Sequence, residues 1–240
     1  MILGFEGTTL VNYPKQVASI IFLSDCNFHC PYCYNKTLVY PDRKQQPITK
    51  SYVIEQLIDR KNFITGVCIS GGEPTLYHFD LIKLIEDIKT ACPNLLIKLD
   101  TNGSRPEVLK SLFERNLVDY VAMDFKTAPC EYKGSISKYD VSEAITESIK
   151  MIRTNLDSQH YEFRITVTRE LFNNNIAKKM VRFLSPEDTV YIQNFKFFGE
   201  ENHINIKALG NIDTAGFAES EIEIIAAPIL NKCKVHLRNF

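Results

Sequence analysis

The sequence has almost no excess of charge of one sign: 28 Lys and Arg stand against 29 Asp and Glu, a net charge of -1 over 240 residues. A balance like this exerts no global pull on nucleic acid or on anionic membranes, so neither is expected as a partner. The chain also lacks any apolar run near the roughly 18 residues of a membrane span. Its first residues, Met1 to Leu10, carry Glu6 and lack the basic start and apolar stretch of a signal peptide. The expectation is a soluble, cytoplasmic protein. There is no fixed-period repeat, low-complexity tract or Gly/Ser linker, so one domain over 1–240 is expected, with 198–240 as a less well patterned C-terminal extension. With 45% hydrophobic and 24% charged residues, the composition is that of a globular chain and excludes disorder for most of it.

What the chain does have is alternation. Val17 to Leu23 (VASIIFL) is a short, nearly continuous apolar run, the pattern of a strand buried on both faces. Helical spacing follows over Ser51 to Arg60, then strand over Val67 to Ser70. Phe79 to Ala91 is the clearest helix, with Leu81, Ile82, Leu84, Ile85 and Ile88 on one stripe. Leu95 to Asp100 reads as strand, Pro106 to Arg115 as helix and Tyr120 to Phe125 as strand. Ser142 to Thr154 reads as helix, Tyr161 to Thr168 as strand, Ile176 to Leu184 as helix and Val190 to Phe195 as strand. Ser220 to Leu230 is helical until Pro228 disturbs it, and Lys234 to Leu237 fits a last strand. Tyr40 to Pro47 and Phe198 to Gly216 read as irregular. Strands alternating with helices argue for an α/β fold with a parallel sheet. Closed barrel, partial barrel and doubly wound sheet all fit this alternation.

Chemistry concentrates just past the C-terminal ends of the strands, the edge where parallel α/β folds bind ligands. After the first strand comes Cys26-Asn-Phe-His-Cys30-Pro-Tyr-Cys33, spaced C-x3-C-x2-C. Three thiolates are one short of a closed structural zinc site. They are the right number for an iron–sulfur cube with one iron left open. His29 or a distant thiol such as Cys68 completes the zinc alternative. After the second strand comes Ser70-Gly-Gly-Glu-Pro74, where two glycines admit close approach and Glu73 offers a carboxylate; a plain strand-to-helix turn has the same composition. Asp100-Thr-Asn-Gly-Ser104 follows the third strand and also reads as an Asn-Gly turn. Asp124-Phe-Lys126 follows the fourth and also reads as an exposed ion pair. The five histidines form no pair and read as surface or capping residues. Cys68, Cys92, Cys130 and Cys233 read as small buried hydrophobes.

Together, C-x3-C-x-aromatic-C and GGEP resemble the radical S-adenosylmethionine enzymes. Gly4-Phe5-Glu6, Val11 to Pro14, Ile69 to Leu76 (ISGGEPTL), Lys98 to Gly103 (KLDTNG), Val118 to Lys126 (VDYVAMDFK) and Tyr161 to Val167 (YEFRITV) are similar to one branch of them. That branch comprises the glycyl-radical-enzyme activases, in particular activating proteins of anaerobic ribonucleoside-triphosphate reductase. The resemblance runs from about Gly4 to Phe195. It implies a partial (β/α)6 TIM-like barrel and a 4Fe–4S cluster on Cys26, Cys30 and Cys33, whose open iron chelates S-adenosylmethionine. It implies Tyr32 near the adenine, Gly71, Gly72 and Glu73 facing the methionine amino group, and Asp124 and Lys126 contacting ribose and carboxylate. Asp100 and Asn102 would lie near the sulfonium or a peptide substrate, and Gln193 or Asn194 would close the adenine side.

The implied activity is reductive cleavage of S-adenosylmethionine to a 5'-deoxyadenosyl radical that abstracts hydrogen from a glycine of anaerobic ribonucleotide reductase or another glycyl-radical enzyme. A flavodoxin- or ferredoxin-like protein would be the electron donor. Two rivals stand beside it: a radical enzyme acting on a small molecule, such as a deazaguanine-forming synthase, and a zinc-bearing binding module. The sequence departs from the family at Tyr34, where histidine is common, and after Phe198. It has no second cysteine cluster, so no ferredoxin-like insert is expected.

Overall fold

The computed structural model describes residues 1–42, 44–204 and 216–240. It is an α/β structure in which strand order follows chain order, β1 to β8. The described chain clusters into two compact units. The first comprises Met1–Asn27, Thr37–Thr101 and Glu107–Ala122; the second comprises Phe28–Lys36, Asn102–Pro106 and Met123–Phe240.

In the first unit β1 (Ile2–Thr9) runs antiparallel to β2 (Ala18–Leu23), and β2, β3 (Gly66–Gly71) and β4 (Leu96–Thr101) are parallel. The sequence patterning assigned no element to β1. The strand carries Gly4, Glu6 and Gly7, and its register shifts twice against β2, so its alternation is broken. Helix α1 (Lys36–Val39) is a single turn. Helix α2 (Lys50–Arg60) is capped by Thr49, whose side chain accepts from the Tyr52 N–H, and it buries Val53 and Leu57. Helix α3 (His78–Ala91) buries all five residues of the expected stripe, Leu81, Ile82, Leu84, Ile85 and Ile88. Helix α4 (Pro106–Glu114) starts at its proline, whose missing N–H costs nothing at a helix start.

Strand β5 (Tyr120–Asp124) passes from one unit to the next. Within the first, the Asp119 N–H, just before β5, donates to the Ile97 carbonyl of β4 at 2.8 Å. Within the second, the Phe125 N–H donates to the Arg164 carbonyl, also at 2.8 Å. There β6 (Tyr161–Val167), β7 (Thr189–Asn194) and β8 (Lys234–Arg238) are parallel. Helices α5 (Ser142–Asn155) and α6 (Asn174–Met180) precede β7. Pro228 divides the helix expected over Ser220 to Leu230 into α7 (Glu219–Ile225) and α8 (Ala227–Leu230). In the irregular C-terminal stretch Glu200–Asn202 form a 3-10 turn, and residues 205–215 lie outside the described residues. The run β2 to β7, with helices between, is the strand order of a (β/α)6 TIM-like partial barrel, as the resemblance implied. Among the described residues no helix is long and apolar enough to cross a membrane.

Candidate functional site

In the first unit the site begins where β2 ends. The chain turns at Asp25, a non-glycine residue in the left-handed region with φ 61. The turn is tied by backbone bonds: Ser24 N–H to the Met1 carbonyl at 2.9 Å and Asp25 N–H to the Leu38 carbonyl at 2.8 Å. The Asp25 carboxylate accepts from the Ser24 hydroxyl at 2.7 Å and from the Tyr77 hydroxyl. Cys26 follows directly.

The Gly-Gly-Glu segment lies against this turn. Gly71 has φ 125, and a Cβ there would stand 2.1 Å from the Leu23 carbonyl oxygen; at Gly72 it would stand 1.9 Å from the Asp25 oxygen. The group that approaches these glycines is therefore the turn leading into Cys26. Gly72 N–H donates to the Leu23 carbonyl at 2.9 Å and Glu73 N–H to the Asp25 carbonyl at 2.7 Å. The Glu73 carboxylate is fully buried. One of its oxygens accepts from the Thr75 N–H at 3.0 Å, from the Thr75 hydroxyl and from the Thr101 hydroxyl at 2.8 Å. It thereby caps the 3-10 turn Pro74–Tyr77. Asp100 is also buried. It pairs with Lys98, its i−2 neighbour on the same face of β4, and accepts from the Ser70 hydroxyl at 2.8 Å. The Lys98 ammonium lies 3.8 Å from the Cys68 sulfur and 6.0 Å from the Tyr120 ring.

In the second unit the loop of Phe28 to Lys36 carries the other two cysteines. Phe28 packs on Tyr132, ring centroids 5.6 Å apart, and His29 N–H donates to the Ile136 carbonyl at 2.9 Å. Cys33 N–H closes a turn on the Cys30 carbonyl at 3.0 Å. Burial pushes the Cys30 thiol up to about 11 and also raises Cys33; the nearby Lys126 charge works against both. Tyr32 is buried, and its hydroxyl is the one buried side-chain polar atom without a hydrogen-bond partner among the described residues. The Lys126 ammonium stands 6.0 Å above its ring.

Asp124 and Lys126 do form an ion pair, 3.1 Å long, but it is partly buried, with side chains 30% and 14% exposed. Arg164 makes a second contact to Asp124 at 2.9 Å. Burial disfavours the Lys126 charge. Asp124, together with Cys30, Tyr32 and Cys33, outweighs that cost and holds the ammonium well above its ordinary range. Lys126 N–H is fixed by the Tyr132 hydroxyl at 2.9 Å.

The remaining expected residues are distributed differently. Asn102 accepts the Ser104 N–H at 2.9 Å, the Asn-Gly turn read from the sequence. Asn194 exchanges two hydrogen bonds with the Phe217 backbone, at 2.7 and 3.0 Å. Gln193 lies 3.5 Å from the Arg238 guanidinium, which stacks on the Tyr191 ring at 3.6 Å. Two readings need correction. Cys68 and Cys92 are buried as expected, but Cys130 is exposed and Cys233 half-buried, because one follows a short 3-10 turn's first residue and the other a helix end at the surface. His203 is 1% exposed rather than a surface residue. Sequence reasoning also missed Asp25, Lys98 and Arg164. For Lys98 there was a signal: a lysine and an aspartate at i and i+2 share one face of a strand.

Among the described residues no disulfide joins any of the seven cysteines. Among the described residues no three His, Cys, Asp or Glu side chains gather about one point as a single metal ion requires. A 4Fe–4S cube binds each thiolate on a different iron and asks for no such convergence. The donor set suits it: soft sulfur ligands, Cys30 buried and Cys33 partly so, beside a lysine whose charge favours thiolate, and an aromatic hydroxyl buried without a partner.

The sequence profile of the radical SAM superfamily matches residues 20–171, more than half of the chain. A protein of Methanocaldococcus jannaschii, provisionally named a glycyl-radical enzyme activating enzyme, is 28% identical over 200 residues, 82% of this chain and 80% of its own length. The anaerobic ribonucleoside-triphosphate reductase-activating protein of Escherichia coli K12 is 35% identical over 89 residues, 35% of this chain and 56% of its own. Among solved structures, methylornithine synthase superposes with a TM-score of 0.56 at 15% identity, covering 92% of this chain and 63% of that one. A radical S-adenosylmethionine methyltransferase from Kitasatospora setae gives 0.54 at 12%, covering 80% and 36%. At such identities the two structures speak for the fold alone.

Proposed function

Since the chain belongs to the radical SAM superfamily and is an enzyme, we propose that it activates a glycyl-radical enzyme, with anaerobic ribonucleoside-triphosphate reductase as the target. Membership implies S-adenosylmethionine and a 4Fe–4S cluster as cofactors. The observation that carries the choice of substrate is the set of relatives, which bear activating-enzyme names and match up to 82% of this chain. When bound, the two cofactors supply one-electron cleavage to methionine and a 5'-deoxyadenosyl radical, which takes hydrogen from a backbone glycine of the partner.

The chain's own residues hold and orient. Cys26, Cys30 and Cys33 are the cluster ligands in this reading. Asp25, strained and tied to Tyr77, sets the turn that presents Cys26, and the absence of side chains at Gly71 and Gly72 lets that turn seat against β3. Lys126 offers its charge to anionic sulfur and to a carboxylate, while Asp124, braced by Arg164, keeps Lys126 charged within a buried setting. Tyr32 contributes an apolar ring face and a hydroxyl free to meet a ligand. Electrons come from a flavodoxin- or ferredoxin-like donor.

The test mixes anaerobically loaded protein, a reductant, S-adenosylmethionine and the anaerobic reductase of the same organism. A glycyl radical on the reductase, seen by electron paramagnetic resonance with methionine and 5'-deoxyadenosine formed alongside, is the expected result. Cofactor cleavage stimulated by a pterin, with no protein radical, overturns the substrate and leaves the radical-enzyme chemistry standing. Cys30→Ala should lose iron and sulfide while Cys92→Ala keeps both.

A further inference from the structure

We propose that His203 is a positioning residue for the cysteine loop, fixing the backbone of Tyr32 and Cys33 through a strap formed by residues 195–204. The inference rests on reading Cys30 and Cys33 as cluster ligands.

His203 is buried, and both its ring nitrogens are engaged. The Phe198 N–H donates to Nε2 at 3.1 Å, so Nε2 carries no proton. The proton therefore sits on Nδ1, which donates to the Tyr32 carbonyl at 3.0 Å. The next residue repeats the contact one step further along: Ile204 N–H donates to the Cys33 carbonyl at 3.0 Å. Two successive residues of the strap thus hold two successive carbonyls of the loop. The ring is oriented by Phe197, stacked on it at 5.6 Å and 10° between planes, and by Phe195, tilted at 5.3 Å. Outside this core Phe198 packs on Tyr34, centroids 5.0 Å apart, clamping the residue after Cys33.

A histidine that merely fills a core finds whichever partners are near. This one spends its donor on the loop and its acceptor on the strap, so it joins two segments 171 positions apart in sequence. A loop that must present thiolates loses conformational freedom on loading. Fixing its backbone beforehand removes part of that loss.

Two substitutions separate the roles of the ring. His203→Phe keeps the aromatic packing and removes both hydrogen bonds; His203→Gln keeps one N–H donor and one oxygen acceptor. Hydrogen exchange of the metal-free protein, followed by mass spectrometry over residues 28–36, should quicken roughly tenfold in His203→Phe, the loss of about one net hydrogen bond. His203→Gln should stay near the parent. Amides of β6, residues 161–167, are the internal reference, because a loss of general stability quickens both segments alike. Unchanged exchange over 28–36, equal quickening in β6, or the same behaviour in both variants overturns the assignment. Should His203→Phe fail to fold, Ile204→Pro removes the single N–H that holds Cys33, and the same loop-confined change is required of it. Iron analysis of Cys30→Ala keeps the two readings apart. Full iron there overturns the cluster assignment itself, whereas iron loss with an unaltered loop in His203→Phe overturns the role of His203 alone.

Discussion

Asp25 occupies a left-handed conformation, φ 61, that costs a side-chain-bearing residue about 1–2 kcal/mol. Its carboxylate bonds to Ser24 and Tyr77 offset that cost. Asp25→Ala keeps the strain and loses the bonds; Asp25→Gly loses the bonds and the strain together. Urea denaturation should place the glycine variant about 1 kcal/mol above the alanine variant, with both below the parent. Equal midpoints for the two variants would show that the turn relaxes. The neighbouring contact is less forgiving. A methyl group at Gly72 would stand 1.9 Å from a backbone oxygen that cannot rotate away. Gly72→Ala should therefore cost roughly 3 kcal/mol, at the upper end of overpacking effects, or prevent soluble accumulation.

At the scale of an element, β4 carries a charged pair on a face that is otherwise apolar. Lys98 and Asp100 are 2% and 11% exposed at their side chains and meet Cys68, Ser70 and Tyr120. A buried pair returns little net stability, but leaving one member alone is costly. Asp100→Leu should destabilise the protein by about 3–5 kcal/mol, because a buried ammonium then loses its counter-charge. Lys98→Met combined with Asp100→Leu should recover most of that loss. A double variant as unstable as the worse single one would mean that Ser70, and not Lys98, is the partner that matters. Strand periodicity alone called β4 correctly; what it could not tell was that its two charged residues face inward.

The whole molecule should be sensitive to alkali. Burial raises the hydroxyls of Tyr13, Tyr132 and Tyr161 well above the ordinary tyrosine range, and burial followed by the Asp25 hydrogen bond pushes Tyr77 up to about 12. Each folded-state value lies above the unfolded one. The folded protein therefore holds these protons longer, and their contribution is complete below about pH 10 and lost as pH rises toward and beyond 12. Stability measured in urea should fall steadily from pH 10 upward. Tyr77→Phe should flatten the fall between 10 and 12 while lowering stability at neutral pH; an unchanged slope would show that Tyr77 titrates normally. Binding acts in the opposite direction. S-adenosylmethionine at 100 times its dissociation constant should add about 2.7 kcal/mol to the cluster-loaded protein, readable as a raised melting temperature.

The sequence by itself determined the fold class, because hydrophobic period is a local property: the stripe of α3 and the apolar runs of β2 and β6 need no tertiary information to be read. It also determined the cysteine loop, since C-x3-C-x2-C is spacing and nothing more. It set helix ends where a single residue's chemistry decides, at Pro106 and Pro228. The tertiary structure decided what burial and pairing decide. Edge strand β1 exists because β2 offers it hydrogen bonds, although its own pattern is broken by two register shifts. That Gly71 and Gly72 leave room for the turn at Asp25 is a close approach no local pattern encodes. Asp124 and Lys126 read equally well as a surface pair, and only packing with Arg164, Tyr132 and Tyr32 makes them partly buried. His203 carries no motif at all; its role arises when a distant segment meets the cysteine loop, a juxtaposition that no spacing rule encodes.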